Sequence, residues 1–172
     1  MEKEIYNRNA GSREESELLK KVMIRKATIQ DISRIAEILV FVRRMFFRPI
    51  FQNDRFSFGE LQVLPLAEEY SKPEILGKIW VYDDGIVKGL IRIDGSEVVE
   101  LYVDYFFQNE GIGSKLIEFA KAEHGVEFLW SIEKNTAANR FYENHGFRRS
   151  DERKYEEGTT EFNVKMVREM DH

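Results

Sequence analysis

The stretch Gln108-Asn109-Glu110-Gly111-Ile112-Gly113 lies between two patterns of different kind. Before it, Val98-Val99-Glu100-Leu101-Tyr102-Val103-Asp104 reads as a β-strand. After it, from Ile112 to about Glu123, apolar residues recur at helical spacing. The chain must therefore turn from strand to helix within a few residues. Two glycines one residue apart permit a sharp turn with positive φ and a backbone that no Cβ keeps away from a ligand. The helix that follows points its unpaired N–H groups and the positive end of its dipole into the loop, an arrangement suited to phosphate. Two common phosphate loops are excluded by spacing. Lys115 follows Ser114 where a Walker-type loop needs Gly-Lys-Ser/Thr, and Leu116 stands where a dinucleotide fingerprint needs its third glycine.

Composition limits the partners. The 172 residues are 42% hydrophobic and 33% charged, enough for one domain with a real core. A net charge of −5 argues against nucleic acid and mildly favours a cationic or neutral small substrate. Zero cysteines exclude disulfides, thiolate zinc sites and a cysteine nucleophile, and fit a reducing compartment such as the cytoplasm. No apolar run reaches the ~18 residues a membrane span needs, and the charged start does not resemble a secretory signal.

Residues 1–22 are dominated by Glu, Lys, Arg and Ser. They read as a charged extension, either a short helix capped by Ser12-x-x-Glu15 or a segment without fixed structure. A single domain is expected over 23–172. It opens with a strand at Ile24–Ala27, then Thr28-x-x-Asp31 as a capping box, then a helix carrying Ile32, Ile35, Ala36, Ile38, Leu39, Val42 and Phe46, ended by Pro49. Ser57-x-x-Glu60 begins further helix, interrupted near Pro65 and finished by Lys72-Pro73. Two strands flank Asp83-Asp84-Gly85 as a hairpin, and Asp94-Gly95-Ser96 turns into a third, Glu97 to Asp104. A strand at 126–132 and a helix from Asn135 to Asn144 follow, with Asn135 as N-cap and Gly146 past the C-terminus. A final hairpin is expected from Phe147–Glu157 and Glu161–Arg168.

Three segments, in this order, resemble the GCN5-related N-acetyltransferase (GNAT) family: Ile24-Arg25-x-Ala27-x-x-x-Asp31, then Leu101-Tyr102-Val103-Asp104 leading to Gln108-x-x-Gly111-Ile112-Gly113, then Glu133-x-Asn135-x-x-Ala138-x-x-Phe141-Tyr142-x-x-x-Gly146-Phe147. The resemblance implies an α/β fold with a mixed, mostly antiparallel sheet of six or seven strands and about four helices on its two faces. It implies a strand that splays from its neighbour at a bulge and an acetyl-CoA-dependent N-acetyltransferase. The alternative is a CoA-binding sensor or interaction module without turnover. Pantetheine would pair with the backbone of Leu101, Tyr102 and Val103, and the N–H groups over Asn109, Glu110, Gly111, Ile112, Gly113 and Ser114 would hold pyrophosphate. Gln108 and Asn135 are further cofactor contacts. The acceptor is an amine of a small molecule or peptide; no metal, nucleic acid or membrane partner is implied, and homodimers are common in the family. Glu110 departs from the family's usual basic or neutral residue and is expected to point to solvent, since a carboxylate beside a pyrophosphate is unfavourable.

A thioester attacked directly by an amine requires no protein nucleophile. It requires proton removal from the ammonium, stabilisation of the oxyanion and protonation of the departing sulfur. Tyr142, matching the family's tyrosine, is the candidate proton donor; as a residue of an apolar stripe it would otherwise be core. Glu100 is the preferred base, because alternation puts Val98, Glu100 and Tyr102 on one face and Val99, Leu101 and Val103 on the other; otherwise it is a surface charge. Glu97, Asp94 and Glu133 are weaker candidates. Backbone N–H groups near Leu101–Val103 are assigned to the oxyanion. Arg43, Arg44 and Arg48 read as a solvated face or a ligand-facing patch. Phe46, Phe47, Phe51, Phe56 and Phe58 read as core or acceptor-pocket lining. His124 and His145 sit at helix ends as structural residues, and with His172 they show no metal spacing.

Overall fold

The computed structural model describes residues 23–170. The 1–22 extension, its possible capping box and His172 lie outside them. Among the described residues one seven-stranded sheet carries five α-helices, a π-helical turn at Arg55–Glu60 and two 3-10 turns. No helix there is long and apolar enough to cross a membrane.

Strand β1 (Ile24–Lys26) leads through a 3-10 turn into helix α1 (Ile32–Phe51). The expected capping box forms. The Asp31 carboxylate accepts the Thr28 N–H at 2.7 Å and the Thr28 hydroxyl at 3.2 Å, and two Arg25 nitrogens at 2.8 and 2.9 Å hold it from the other side. Helix α1 does not stop at Pro49 as its sequence suggested. Proline removes one N–H near the C-terminal end, and the helix runs two residues further before Gln52, at φ 50°, closes it with a bond to the Arg48 carbonyl at 2.8 Å. Pro65 likewise does not interrupt. It sits in the first turn of α2 (Val63–Tyr70), where an N–H has no helical acceptor to lose, and Pro73 begins the single-turn α3 (Pro73–Leu76).

Strands β2 (Ile79–Asp83), β3 (Val87–Asp94) and β4 (Glu97–Val103) form an antiparallel meander. After α4 (Ile112–His124) come β5 (Phe128–Ile132), α5 (Thr136–Asn144), β6 (Phe147–Tyr155) and β7 (Phe162–Arg168). The order across the sheet is β1-β2-β3-β4-β5-β7-β6, antiparallel except for β4–β5.

Alternation along β3 sends Leu90 to one core and Ile91 to the other. The first core joins α1 and α2 to the sheet through Ile35, Leu39, Tyr70 and Val81. The second joins α4 through Ile91, Val98, Leu116, Ile117, Leu129 and Phe147. Gly89 sets the height of α4 over the sheet. A Cβ there would lie 3.0 Å from the Tyr102 carbonyl oxygen and 3.2 Å from side-chain carbons of both Ile112 and Leu116. The start of α4 is thereby drawn down against β3 and β4.

Candidate active site

The parallel pair β4–β5 is joined only at Glu97–Phe128 and Val98–Leu129. Beyond Val98 the two strands part, while β4 stays paired with β3 as far as Val103. The side of β4 that faces β5 therefore offers backbone over Leu101–Val103 that no neighbouring strand pairs, an edge able to pair with an extended ligand. The cause of the divergence is visible in the register. Arg92 pairs with Glu100 and Ile93 with Val98, which leaves Val99 as an extra residue in β4. This bulge corrects the simple alternation read from sequence. Val98 joins the core that also packs Leu101 and Val103, while Tyr102 and Glu100 turn to the α1 side.

The open edge leads to the glycine loop. Asp104 accepts the Phe106 N–H at 2.8 Å and an Arg34 nitrogen at 2.6 Å, and Gln108 donates to the Val103 carbonyl at 3.2 Å. Positive φ falls on Asn109 (63°) and Gly111 (81°). Gly113, expected to share that conformation, is instead an ordinary residue in the first turn of α4. Its lack of a side chain serves the space between elements, since a Cβ would lie 3.4 Å from the Phe141 ring and 3.7 Å from Val103. Gly111 caps the helix by accepting the Lys115 N–H at 3.1 Å. The N–H groups over Gly111–Ser114 have no acceptor within the helix and converge on the loop. Glu110 is exposed, as expected. Lys88, whose pKa is raised chiefly by its 2.7 Å bond to Asp84, also feels the Glu110 charge.

Across the opening, Asn135 caps α5 by accepting the Ala138 N–H at 3.3 Å. Tyr142 lies near the C-terminal end of the same helix, against Phe141 and Phe147. Burial, with a smaller effect of Tyr102, pushes its phenol well above the usual range, so it holds its proton at neutral pH. Its hydroxyl makes no hydrogen bond among the described residues, which leaves the proton available to a ligand. Tyr102 is also raised, first by burial.

Glu100 sits 10% exposed on the α1 side of the bulge, and its carboxylate is fully engaged. Tyr70 donates to both oxygens at 2.6 and 2.7 Å, Arg43 reaches one at 2.6 Å, and Arg92 stands 3.4 Å from the other. Arg43 also contacts the Tyr70 hydroxyl at 3.2 Å and the Tyr102 hydroxyl at 3.4 Å. This is a clamped carboxylate, where the sequence suggested one available to take a proton. Tyr70, Arg43 and Arg92 come from α2, α1 and β3; the sequence singled out Arg43 alone, in its helix patch, and nothing in the local pattern joined the three to Glu100. Glu156, in the turn after β6, escaped notice for the same reason. Its charge contributes to the raised pKa of Tyr102, Asn163 donates to one of its oxygens, and the other has no partner among the described residues.

The three arginines of the α1 patch separate. Arg43 turns inward, Arg44 holds the Ser57 and Leu61 carbonyls at 2.8 and 2.9 Å, and Arg48 pairs with Asp54 at the surface. Of the phenylalanines, Phe46 packs on the first core, Phe47, Phe51 and Phe56 pack edge-to-face on one another, and Phe58 is half exposed beneath Arg44 and Arg48. His145 bridges Glu118 at 2.9 Å and Ser114 at 3.0 Å, and His124 lies between Trp80 and Phe119. Glu133 pairs with Arg149 and Arg153, and Asp94 with Lys78.

Residues 76–149 match the family model of the acetyltransferase (GNAT) domain. The fold extends the likeness. An N-acetyltransferase from Staphylococcus aureus is 15% identical with TM-score 0.64, over 85% of this chain and 100% of that one. YncA from Salmonella typhimurium, solved with its cofactor acetyl-CoA, is 21% identical with TM-score 0.61, over 86% and 93%. The PaiA N-acetyltransferase from Thermoplasma acidophilum, solved with coenzyme A, is 20% identical with TM-score 0.52, over 84% and 97%. No curated protein matches the sequence. The matched segment runs from the end of α3 to the start of β6, which includes the splayed strand, the glycine loop and Tyr142.

Proposed function

We propose that this protein is an acetyl-CoA-dependent N-acetyltransferase acting on an amine of a small molecule or peptide. The β4–β5 opening carries the reading: a strand edge that runs from the bulge to a helix start, with the protonated Tyr142 close enough to Tyr102 of that strand to feel its charge. The cradle fits the donor. Leu101–Val103 present backbone to an extended pantetheine, Asn109–Ser114 present N–H groups to pyrophosphate, and the missing Cβ of Gly113 keeps the passage between Val103 and Phe141 clear. Acetyl-CoA, when bound, supplies an activated acetyl group and a thiolate leaving group.

The protein's own tasks follow. Backbone N–H groups beside the bulge face the carbonyl oxygen and stabilise its growing charge. Tyr142 Oη gives its proton to the departing sulfur as the C–S bond breaks and the C–N bond forms. The acceptor nitrogen loses two protons: the first, from the ammonium, goes to a carboxylate on the acceptor side, and the second, released as the amide forms, restores Tyr142. Glu100 would have to surrender a hydrogen bond to accept the first, whereas Glu156 has an oxygen without a partner; we assign that proton to Glu156 and the placing of Tyr70, Arg43 and Arg92 to Glu100.

Thiol release from acetyl-CoA across an amine panel tests the activity, with the acetylated product read by mass. Tight CoA binding without release for any amine would leave the non-catalytic module. Tyr142→Phe should lower kcat by about tenfold or more with KM for acetyl-CoA unchanged. Glu156→Gln should shift the acidic limb of the kcat/KM profile, while Glu100→Gln should raise KM for the amine and leave that limb in place. The reverse pattern would return the base to Glu100.

A further inference from the structure

Resting on the acetyltransferase reading, we infer that the acceptor amine also carries a carboxylate, bound by Arg43 and Arg92. Two guanidinium groups share one carboxylate: Arg43 is 18% exposed, Arg92 21% and Glu100 10%. The cluster therefore holds an excess positive charge in a largely shielded place, inside a protein whose net charge is −5. An unbalanced charge removed from water is costly, and a site keeps one where a ligand of opposite charge completes it.

The hydrogen-bond count agrees. Arg43 uses Nε and Nη2 on Tyr102, Tyr70 and Glu100. Its Nη1 makes no hydrogen bond among the described residues, nor do the terminal nitrogens of Arg92, whose guanidinium lies over the Tyr70 ring at 5.5 Å. These are flat, forked donors already fixed in place, which suits two-point contact with a carboxylate. Glu100 is the means of fixing them, since Tyr70 and both arginines converge on it.

Position links the cluster to the reaction. Arg43 touches the Tyr102 hydroxyl, and Tyr102 is close enough to Tyr142 to raise its pKa. Glu156 approaches Tyr102 from the β6–β7 turn. An acceptor between them would meet a carboxylate for its ammonium group and an arginine pair for its own carboxylate. Free amino acids and the C-termini of short peptides share that chemistry.

The test uses matched sets: an amino acid, its carboxamide, its decarboxylated amine and a glycyl dipeptide, for several side chains. Thiol release should favour the carboxylate-bearing members in kcat/KM by about thirtyfold, and preference for the free acid or the dipeptide separates the two sources. Arg92→Gln should raise KM for the favoured substrate by about tenfold while leaving KM for acetyl-CoA unchanged, with partial recovery in Arg92→Lys. Carboxamides or decarboxylated amines that perform as well as the acids overturn the inference. Calorimetric titration of the same sets into the free protein and its CoA complex separates this failure from loss of the acetyltransferase reading. Without turnover, tighter binding of the acids in either state supports the carboxylate subsite, and no preference in both overturns it.

Discussion

Replacing each glycine of the phosphate loop by alanine should give opposite results. Gly111 has φ 81° and ψ 8°, and no atom lies within 4 Å of the position its Cβ would take. The cost is therefore backbone strain alone, about 1–2 kcal/mol for a left-handed alanine. The stiffer unfolded chain returns roughly 0.5 kcal/mol of it, leaving a net loss near 1 kcal/mol. For a chain of this length that is about 2–4 °C in Tm. Gly113 is helical, and its Cβ would make ordinary contact with Phe141 at 3.4 Å and Val103 at 3.7 Å. Alanine there gains up to about 1 kcal/mol of helix propensity, less in a first turn, so stability should hold or rise slightly. Urea unfolding at pH 7 reads both variants. CoA titration reads the loop: relief of strain in Gly111→Ala would turn the N–H groups away and weaken binding. Equal destabilisation by the two variants, or none in Gly111→Ala, would refute the division of labour between strain at one glycine and clearance at the other.

Two further outcomes follow from packing and charge. Gly89→Ala should cost about 1–3 kcal/mol in urea unfolding, because the new methyl meets a backbone oxygen and two packed side chains in a well-filled contact; wild-type stability would mean that α4 can lift from the sheet without loss. Asp31→Asn should cost about 1–3 kcal/mol at pH 7, mainly by weakening the Arg25 contacts that hold the Asp31 pKa below 3.8. A lowered folded pKa gives stability that is present above the unfolded value and lost as pH falls through the folded one, so the gap between wild type and variant should close below about pH 3.8. A gap unchanged down to pH 2 would contradict this.

Local chemistry made much of the fold legible. Asp83-Asp84-Gly85 and Asp94-Gly95-Ser96 define their turns within the segment, Thr28 and Asp31 cap across one turn of backbone, and Asn135 and Gly146 bracket α5. The prolines misled because their penalty depends on position. Pro49 and Pro65 sit near helix ends, where a missing N–H costs little. The bulge was hidden for another reason. Counting back from the Asp94 turn would pair Arg92 with Val99, and only the inserted residue brings Arg92 opposite Glu100.

By itself, the sequence determined the features whose causes lie within a few residues: the strand, the turn at Gly111 and the helix start that can receive a phosphate. Tertiary structure alone decided which face each β4 side chain takes. It also decided that Glu100 is clamped by residues from three other elements, and that Tyr142 is desolvated near Tyr102. Burial, register and charge pairing are properties of segments brought together by packing, and a residue's own neighbours in the chain carry no record of them.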